Sequence, residues 1–569
     1  MVKISSMVAS KANHSPDRHV ISNSERKDRS IRLWGERGQL ALERGHVCVL
    51  NATVVATEVL KNLVLPGVGA FTIVDSHRVS ERDLGNNFFV TQESIGEPRC
   101  HEVMKNLLEL NEEVKGNAVD EDACEIIMSN LDFFDDFSCV IVSDLPEKHL
   151  LLLANRLWER GIPLFLGKAY GMIGLWRNVI PEVCIVESRP EYAKENYRLA
   201  NPFPELAAFV ERFDLETCRH PYIPLTETQS ATNVFVDHRG RPIVPKAHSH
   251  IPAFVLLIKA LQKWRAQHEG KMPQTGQEKD QFRELLDDFQ LSVGKDEENF
   301  VEAKALARHA YSPFEIPSEV KAILSDPKAG ADSNCQDPFW IIVRALREFV
   351  EGEGGGCLPL SGMLPDMHAD TKSYIDLQNI YREQATRDCS QVSARVQHIL
   401  SSMNQRTDAI SPAEISLICK NAANIRLVRT RSLQEEYSSP CCDDWSWMLD
   451  MPEEFPHYLY VLLRAADRYK TNFGSFPGEM QPLDEAEVAR FKEVLGALCS
   501  EMGIANGSLT NDMATELVRY GGSELHSIAS VVGGIGANEV CKVLMKQFVP
   551  ANGSFLYNGV TGKNALCVF

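Results

Sequence analysis

The stretch VCVLNATVVATEVLKNLVLPGVGAFTIVD, residues 47–75, constrains the fold more than any other. Two apolar, β-branched runs within it predict strands over 46–50 and 70–74, and a helical pattern near 57–65 separates them. A strand, a helix and a second strand in this order predict a parallel βαβ unit. Further strands over 138–142 and 163–166, and helices near 95–110 and 148–160, continue the alternation. We therefore expect an α/β fold of Rossmann-like type with a mainly parallel sheet.

The middle of the chain has a different pattern. Over residues 181–485, long amphipathic segments such as FWIIVRALREFVEG and SYIDLQNIYREQATRDCSQVSARVQHILSSM repeat apolar residues at helix spacing. We expect a large, mostly α-helical insertion there. It interrupts an α/β domain whose first part covers 28–180 and whose second part covers 486–569. Residues 1–27 are polar, without an apolar signal core, and are expected to be a disordered tail.

Charge and cysteine usage argue against several classes of protein. The formal net charge of −19 disfavours a nucleic-acid-binding surface, which needs a positive footprint. The 15 cysteines are scattered and contain no CxxC pair, so we expect reduced intracellular thiols and no structural zinc site. No segment approaches about 20 uninterrupted apolar residues, the length that a membrane span needs, so we expect no membrane contact.

The loop between the first strand and the first helix lacks the glycines of a phosphate-binding loop. Glycines let backbone N–H groups approach a phosphate at the helix N-terminus. Asn51, Thr53, Val54 and Ala56 stand at the positions where glycine is wanted, and a β-branched side chain disfavours both close approach and positive φ. Asp75, at the end of the second strand, stands where an acid would bind ribose hydroxyls. We therefore expect a nucleotide-type scaffold whose phosphate site is filled.

Several longer motifs, in order along the chain, carry a resemblance to a known family. They include DRSIRLWGERGQLALERGHVCVLNATVVATEVL, LPEKHLLLLANRLWERGIPLFLGKAYGMIG, LPDMHADTKSYIDLQNIYRE and GGIGANEVCKVLMKQF. Together they resemble the adenylation-fold enzymes that activate ubiquitin-like modifiers, from residue 28 to the C-terminus. Within that family, agreement is greatest with non-catalytic subunits of heterodimeric members that act on Nedd-type modifiers.

The resemblance implies that the adenylation site of this chain is degenerate. The family's phosphate-facing Arg position holds Asn86, its Lys position holds Arg99, and its metal-binding Asp position holds Pro146. Together with the altered loop and the isolated Asp75, these positions imply a pseudo-adenylation domain without catalysis in cis and without a bound metal. The family alignment implies one contribution in trans: Arg29, in DRSIR, would reach the partner's ATP phosphates, the alternative being an ordinary surface arginine.

Partners, cofactors and location also follow from the resemblance. It implies a regulatory subunit that binds no cofactor itself and pairs with a catalytic subunit carrying ATP, Mg²⁺ and the nucleophilic cysteine. The pair would adenylate a Nedd-type modifier and form its thioester, the first step of modifying targets such as cullins. A conjugating enzyme would bind through the complex. We expect a cytoplasmic and nuclear location.

Cysteines of this chain are poor candidates for the nucleophile. Acidic neighbours precede Cys357 and follow Cys441 and Cys442, which disfavours a reactive thiolate. Two other motifs have structural interpretations. In HSHIP, Ser249 or His250 is expected to cap the next helix, and the small residues of GGIG are expected to allow close packing of the paired adenylation folds.

Three alternatives stay open at this point. The first is a self-sufficient adenylyltransferase with an altered loop, and the second is the silent subunit for another modifier, such as that of sumoylation. The counterpart in sumoylation is shorter and has little helical insertion. The third is a Rossmann-type dehydrogenase, which the missing glycines disfavour.

Overall fold

The computed structural model describes residues 23–569 except 192–194, 226–227, 230–234, 237–243, 292–296, 441–444, 481–483 and 506–508. The chain divides into two compact units. The first unit comprises the chain up to Pro181, Arg429–Met545 and Pro550–Phe569, and the second comprises Glu182–Val428 and Lys546–Val549.

The strands are β1 His46–Leu50, β2 Ala70–Val74, β3 Lys115–Val119, β4 Cys139–Val142, β5 Leu164–Tyr170, β6 Ile173–Val179, β7 Val183–Ile185, β8 Thr228–Gln229, β9 Phe235–Val236, β10 Arg426–Val428, β11 Ser554–Asn558 and β12 Lys563–Cys567. The helices up to the middle of the chain are α1 Asn23–Glu43, α2 Val54–Val64, α3 Glu81–Leu84, α4 Arg99–Leu108, α5 Ala123–Ser129, α6 Glu147–Arg160, α7 Pro204–Val210, α8 Lys246–Ser249, α9 Ala253–Gln267, α10 Gly276–Asp287, α11 Glu298–Leu306, α12 Arg308–Tyr311 and α13 Ser318–Leu324. The remaining helices are α14 Pro338–Glu351, α15 Thr371–Ser402, α16 Pro412–Lys420, α17 Leu433–Ser438, α18 His457–Phe473, α19 Glu485–Glu501, α20 Asn511–Tyr520 and α21 His526–Met545.

An eight-stranded sheet organises the first unit, in the order β12-β11-β6-β5-β4-β1-β2-β3. Strands β3, β2, β1, β4 and β5 are mutually parallel, whereas β6, β11 and β12 extend the sheet in antiparallel fashion. The residues of β4 are all buried, as expected of a parallel strand covered by helices on both faces. The predicted α/β class with a mainly parallel sheet and a large helical region is confirmed.

Helix α21 packs against α2 and against strands β5 and β6. Its glycines explain how closely it approaches them. A Cβ added at Gly533 would stand 2.6 Å from the Cβ of Glu58, and one added at Gly536 would stand 2.4 Å from the ring of Trp176. Gly533 and Gly536 therefore permit close packing inside the unit, and the expectation that these small residues also allow the pairing of two adenylation folds stays a prediction. By length and composition α21 could cross a membrane, but most of its apolar stretch is buried in the protein.

The second boundary of the helical insertion differs from the sequence-based one. Helices α18, α19 and α20 share an apolar core with Tyr170 and Ile173, at the β5–β6 turn, and with Leu556 of β11. They therefore belong to the first unit, and the long segment of the second unit ends at Val428 rather than near residue 485. Amphipathic helices of the two units have the same periodicity, so the pattern alone does not separate them.

The second unit is mainly helical, with two apolar cores. One surrounds α9 and the other surrounds α14, each helix being buried along most of its length. Pro252 occupies the N-cap position of α9, so the expectation that Ser249 or His250 caps this helix is wrong. His248 is buried instead, and its Nδ1 lies 2.7 Å from Glu297 Oε2.

An N-terminal helix that the sequence pattern did not predict begins before residue 28, the expected start of the first domain. Helix α1 starts at Asn23, and Lys27 forms ion pairs of 2.8 Å with both Glu43 and Glu113. Residues 23–27 are thus part of a helix rather than of a disordered tail. The rest of that expectation, for residues 1–22, lies outside the described residues.

Candidate functional site

The loop after β1 reverses direction through Asn51, whose φ of 66° lies in the left-handed region. Asparagine tolerates this conformation better than most residues other than glycine. Its side-chain Nδ2 donates to the carbonyl oxygens of Ser143 (3.2 Å) and Asp144 (2.9 Å), in the loop that follows β4. Asn51 therefore supplies the turn that a glycine would supply, and its side chain ties two loops together at the carboxyl end of the sheet.

Helix α2 begins at Val54, with Thr53 as its N-cap. Thr53 Oγ1 accepts a hydrogen bond from the N–H of Ala56 at 3.4 Å and donates to Ser143 Oγ at 2.7 Å. Val54 is buried in the first turn. One free N–H of this helix is thus used by the cap.

A carboxylate from a distant part of the chain occupies the N-terminus of α2. Glu524 Oε2 accepts a hydrogen bond from the N–H of Val54 at 3.0 Å, although the two residues are 470 positions apart. Loss of surrounding water, together with the charge of Asp144, raises the pKa of Glu524 to about 7, while the N–H groups of Val54 and Val55 oppose the shift. The helix N-terminus, where proteins commonly bind phosphate, is closed by an internal acid.

Asp75, fully buried at the end of β2, is the centre of a hydrogen-bond network. Its Oδ2 accepts from Ala52 N–H (3.0 Å) and from Arg99 Nε (2.7 Å), and its Oδ1 accepts from His77 N–H (3.0 Å) and lies 2.8 Å from His77 Nδ1. Burial opposes ionisation, but the hydrogen bond from His77 and the charge of Arg99 outweigh it and hold the pKa of Asp75 at about 2. Arg99 Nη1 also donates to Asp83 at 3.1 Å. Both charged residues are therefore committed to internal partners.

Asn86 fastens the segment that carries Glu524, and Asn87 fastens the loop after β1. Asn86 Nδ2 donates to the carbonyl of Glu524 at 3.0 Å, and the carbonyl of Asn86 lies 2.8 Å from His526 Nδ1. The buried Asn87 Nδ2 donates to the carbonyl of Ala52 at 3.4 Å. The position that the resemblance assigned to a phosphate-facing arginine thus holds the carboxylate segment in place.

Pro146 caps α6 without a side-chain hydrogen bond and offers no ligand to a metal. The nearby Asp144 has a φ of 59°, and its Oδ1 lies 2.6 Å from Lys470 Nζ on α18. Among the described residues, no cluster of three or more His, Cys, Asp or Glu side chains is arranged to hold a metal.

The space left at this site is small. A cavity of about 70 Å³ is lined by Thr53, Ser143, Asp144, Lys168 and Glu524, among others. Small-molecule sites in proteins occupy roughly 300–1,000 Å³. A nucleoside triphosphate and its Mg²⁺ do not fit the residues present, because the carboxylate of Glu524 stands at the anion position and the cavity is too small.

The other predicted residues lie elsewhere. Arg29 is exposed on α1, and Cys357 is half-buried in the loop after α14. Cys441 and Cys442 lie outside the described residues. Sequence reasoning missed Glu524, and no spacing signal could have found it, since the fold alone brings it to α2.

Comparisons with known proteins give one matching family and several relatives that cover almost the whole chain. The model of the ThiF family matches residues 26–565. A NEDD8-activating enzyme E1 regulatory subunit of Xenopus laevis is 40% identical over 553 residues, covering 96% of this chain and 99% of that protein. One of Danio rerio is 38% identical over 550 residues, covering 96% and 98%. The NEDD8-activating enzyme E1 regulatory subunit AXL of Arabidopsis thaliana is 36% identical over 538 residues, covering 94% and 98%.

Proposed function

This chain belongs to the ThiF family and, within it, to the NEDD8-activating enzyme E1 regulatory subunits, and on this premise we propose that it is the non-catalytic half of a heterodimer. Its partner is a catalytic subunit that binds ATP and Mg²⁺ and carries the nucleophilic cysteine. The pair adenylates the C-terminus of NEDD8 and then holds it as a thioester. A conjugating enzyme takes the modifier from the complex, which acts in cytoplasm and nucleus.

The observation that carries the proposal is the carboxylate of Glu524 at the N-terminus of α2. An adenylating enzyme must hold the triphosphate with N–H donors and cations. In this chain Val54 N–H faces Glu524, and Arg99 faces Asp75 and Asp83. The site is therefore stable without ATP, and the domain retains the shape of an adenylation fold for pairing rather than for chemistry.

Exposed apolar side chains in the first unit support a partner surface. Phe88 is 71% exposed and Leu33 is 62% exposed. Three more apolar side chains of this unit are also exposed to solvent: Leu40, Leu525 and Val531. Leu33 and Leu40 lie on α1, which packs on α21, the helix that carries Val531. Large exposed apolar groups on elements that pack together are typical of protein interfaces. We propose that the catalytic subunit covers them.

Reconstitution tests the proposal. The purified chain is mixed with a candidate cysteine-bearing subunit, and ATP–pyrophosphate exchange and a thioester with NEDD8 are measured for each chain alone and for the mixture. We expect both activities in the mixture and neither with this chain alone. A ubiquitin or SUMO modifier is the control and should form little thioester. Exchange by the isolated chain, or failure to bind any cysteine-bearing subunit, would contradict the proposal.

A variant of this chain tests whether its closed site, in addition to the ATP site of the partner, takes part in catalysis. Glu524→Gln in this chain should leave ATP–pyrophosphate exchange by the assembled enzyme within about twofold of wild type, because the closed site takes no part in chemistry. Loss of exchange with the complex intact would show that this site participates.

A further inference from the structure

A groove of about 840 Å³ in the second unit is lined by two cysteines together with hydroxyl groups. One wall is a face of α15, a second is α16, and the loop over 360–364 forms a third. Arg382 and Lys420 add two positive charges to the lining. The proposed function uses none of these groups, so their arrangement calls for a separate explanation.

The two thiols, Cys389 on α15 and Cys419 on α16, line the same groove, and these two helices pack against each other. Both cysteines are free of disulfides, Cys389 is half-buried, and Cys419 is only 3% exposed. The hydrogen bond from Cys419, joined by those from Ser393 and Ser416, lowers the pKa of Cys389. The same contact and burial raise the pKa of Cys419. The proton therefore stays on Cys419 and the negative charge is favoured on Cys389.

Other cysteines of the chain have a different environment. Burial raises the pKa of Cys184, Cys541 and Cys567 to about 12, as expected of thiols in apolar surroundings. Such thiols are inert because the thiolate is the reactive form. Cys389 combines a lowered pKa, access from a groove and a second thiol that lines the same groove, which are features of a redox-active pair.

We propose that Cys389 and Cys419 are a thiol pair that hydrogen peroxide oxidises to a disulfide, with Cys389 attacking and Cys419 resolving. The Cys389 thiolate attacks one peroxide oxygen, the O–O bond breaks, and the departing hydroxide takes a proton to become water. Cys389 is then a sulfenic acid, oxidised by two electrons. The Cys419 sulfur attacks it, the S–S bond forms and the S–O bond breaks, and the leaving hydroxide takes the Cys419 proton as water. A dithiol reductant reverses the reaction.

Mass spectrometry of the full chain tests the pair without any substitution. The reduced protein is exposed to hydrogen peroxide, remaining thiols are alkylated, and the digest is analysed with and without a dithiol reductant. We expect a linked peptide containing Cys389 and Cys419 that the reductant removes. We also expect Cys389 to be consumed about tenfold faster than Cys357, a half-buried thiol of the same unit. Equal consumption of these two cysteines, or absence of the linked peptide, would overturn the proposal.

Single substitutions assign the two roles. In Cys419→Ser, a sulfenic acid at Cys389 should accumulate and be trapped by a dimedone-type probe. In Cys389→Ser, Cys419 should remain reduced, because it has no sulfenic acid to attack. Cys357→Ser is the matched control and should form the linked peptide as the wild type does. Trapping at Cys419 rather than at Cys389 would show that the roles are reversed and contradict the proposal.

Discussion

Glu524 Oε2 accepts the N–H of Val54 at 3.0 Å, at the first residue of α2. Helix N-termini attract anions because their free N–H groups and the helix dipole both favour negative charge. A carboxylate of this chain therefore takes the place that a phosphate takes in a nucleotide-binding βαβ unit. Asn86, Asn87 and Asn51 hold the surrounding loops, so the arrangement is built into the fold and needs no ligand.

Glu524→Gln should change the pH dependence of stability. The pKa of Glu524 is raised to about 7, so the folded protein holds this proton more tightly than the unfolded chain does. The free energy of unfolding of the wild type therefore decreases as pH rises from about 4.5 to 7. Glutamine keeps an oxygen acceptor without the charge, so the variant should gain about 1–3 kcal/mol relative to wild type across that range. Urea midpoints at a series of pH values measure this. Glu97→Gln changes an exposed carboxylate and should show no such gain. If stability changed with pH equally in the wild type and in Glu524→Gln, the raised pKa of Glu524 would be disproved.

Asp75→Asn should destabilise the first unit. It removes the nearest carboxylate of Arg99, whose side chain is 12% exposed and keeps Asp83 as a partner, so the cost should be about 3 kcal/mol, the low end for breaking a buried ion pair. Because the pKa of Asp75 is lowered to about 2, its contribution is present above about pH 4 and is lost as pH falls through 2. The difference between wild type and variant in denaturant midpoint should therefore narrow towards low pH. Asp83→Asn, which removes a more exposed partner of Arg99, should cost less, and an equal cost would contradict the central place of Asp75.

The buried ion pair between Arg177 and Glu436 offers a double-mutant test. Arg177 Nη2 lies 2.5 Å from Glu436 Oε2, and the two side chains are 2% and 1% exposed. Glu436→Gln keeps an acceptor for Tyr460 but leaves the guanidinium unpaired, which should cost about 3–5 kcal/mol in the free energy of unfolding. Adding Arg177→Met should restore at least half of the loss. If the double variant loses as much free energy of unfolding as the two single variants together, the ion pair does not explain the destabilisation by Glu436→Gln.

Arg29→Ala should slow adenylation by the assembled heterodimer while leaving it assembled. An arginine directed at phosphates in trans offers paired donors and a permanent charge, so its loss should reduce ATP–pyrophosphate exchange about tenfold or more. The matched control is Arg32→Ala, exposed on the same helix and paired with Asp28. An unchanged ATP–pyrophosphate exchange rate in Arg29→Ala would show that Arg29 is an ordinary surface arginine.

Phe88→Asp should weaken pairing with the catalytic subunit. A charge placed in an apolar interface must be desolvated without a partner, so the dissociation constant should rise at least about tenfold. Val560→Asp changes a residue of similar exposure, 69%, and should leave the constant unchanged. Titration of one labelled subunit with the other measures both constants. Similar effects of the two substitutions would indicate a general loss of solubility and not an interface at Phe88.

Strands β1 and β2 agree with the sequence-based spans to the residue, because uninterrupted apolar runs bounded by polar or small residues have few alternative structures. Strand β3, KGNAV, was missed since it lies at the sheet edge and lacks an apolar run. Helix α2 begins at Val54, three residues before the predicted start, because Thr53 is the residue that caps it.

The sequence by itself determined that the phosphate loop has lost its glycines and that a helical unit interrupts an α/β domain, because both follow from local residue types and periodicity. Only the tertiary structure decided what replaced the phosphate. Glu524 approaches Val54 after the chain has passed through Glu182–Val428 of the second unit, and no local pattern encodes that contact. It forms because α21 packs against α2 through Gly533, which places the segment preceding α21 at the N-terminus of α2.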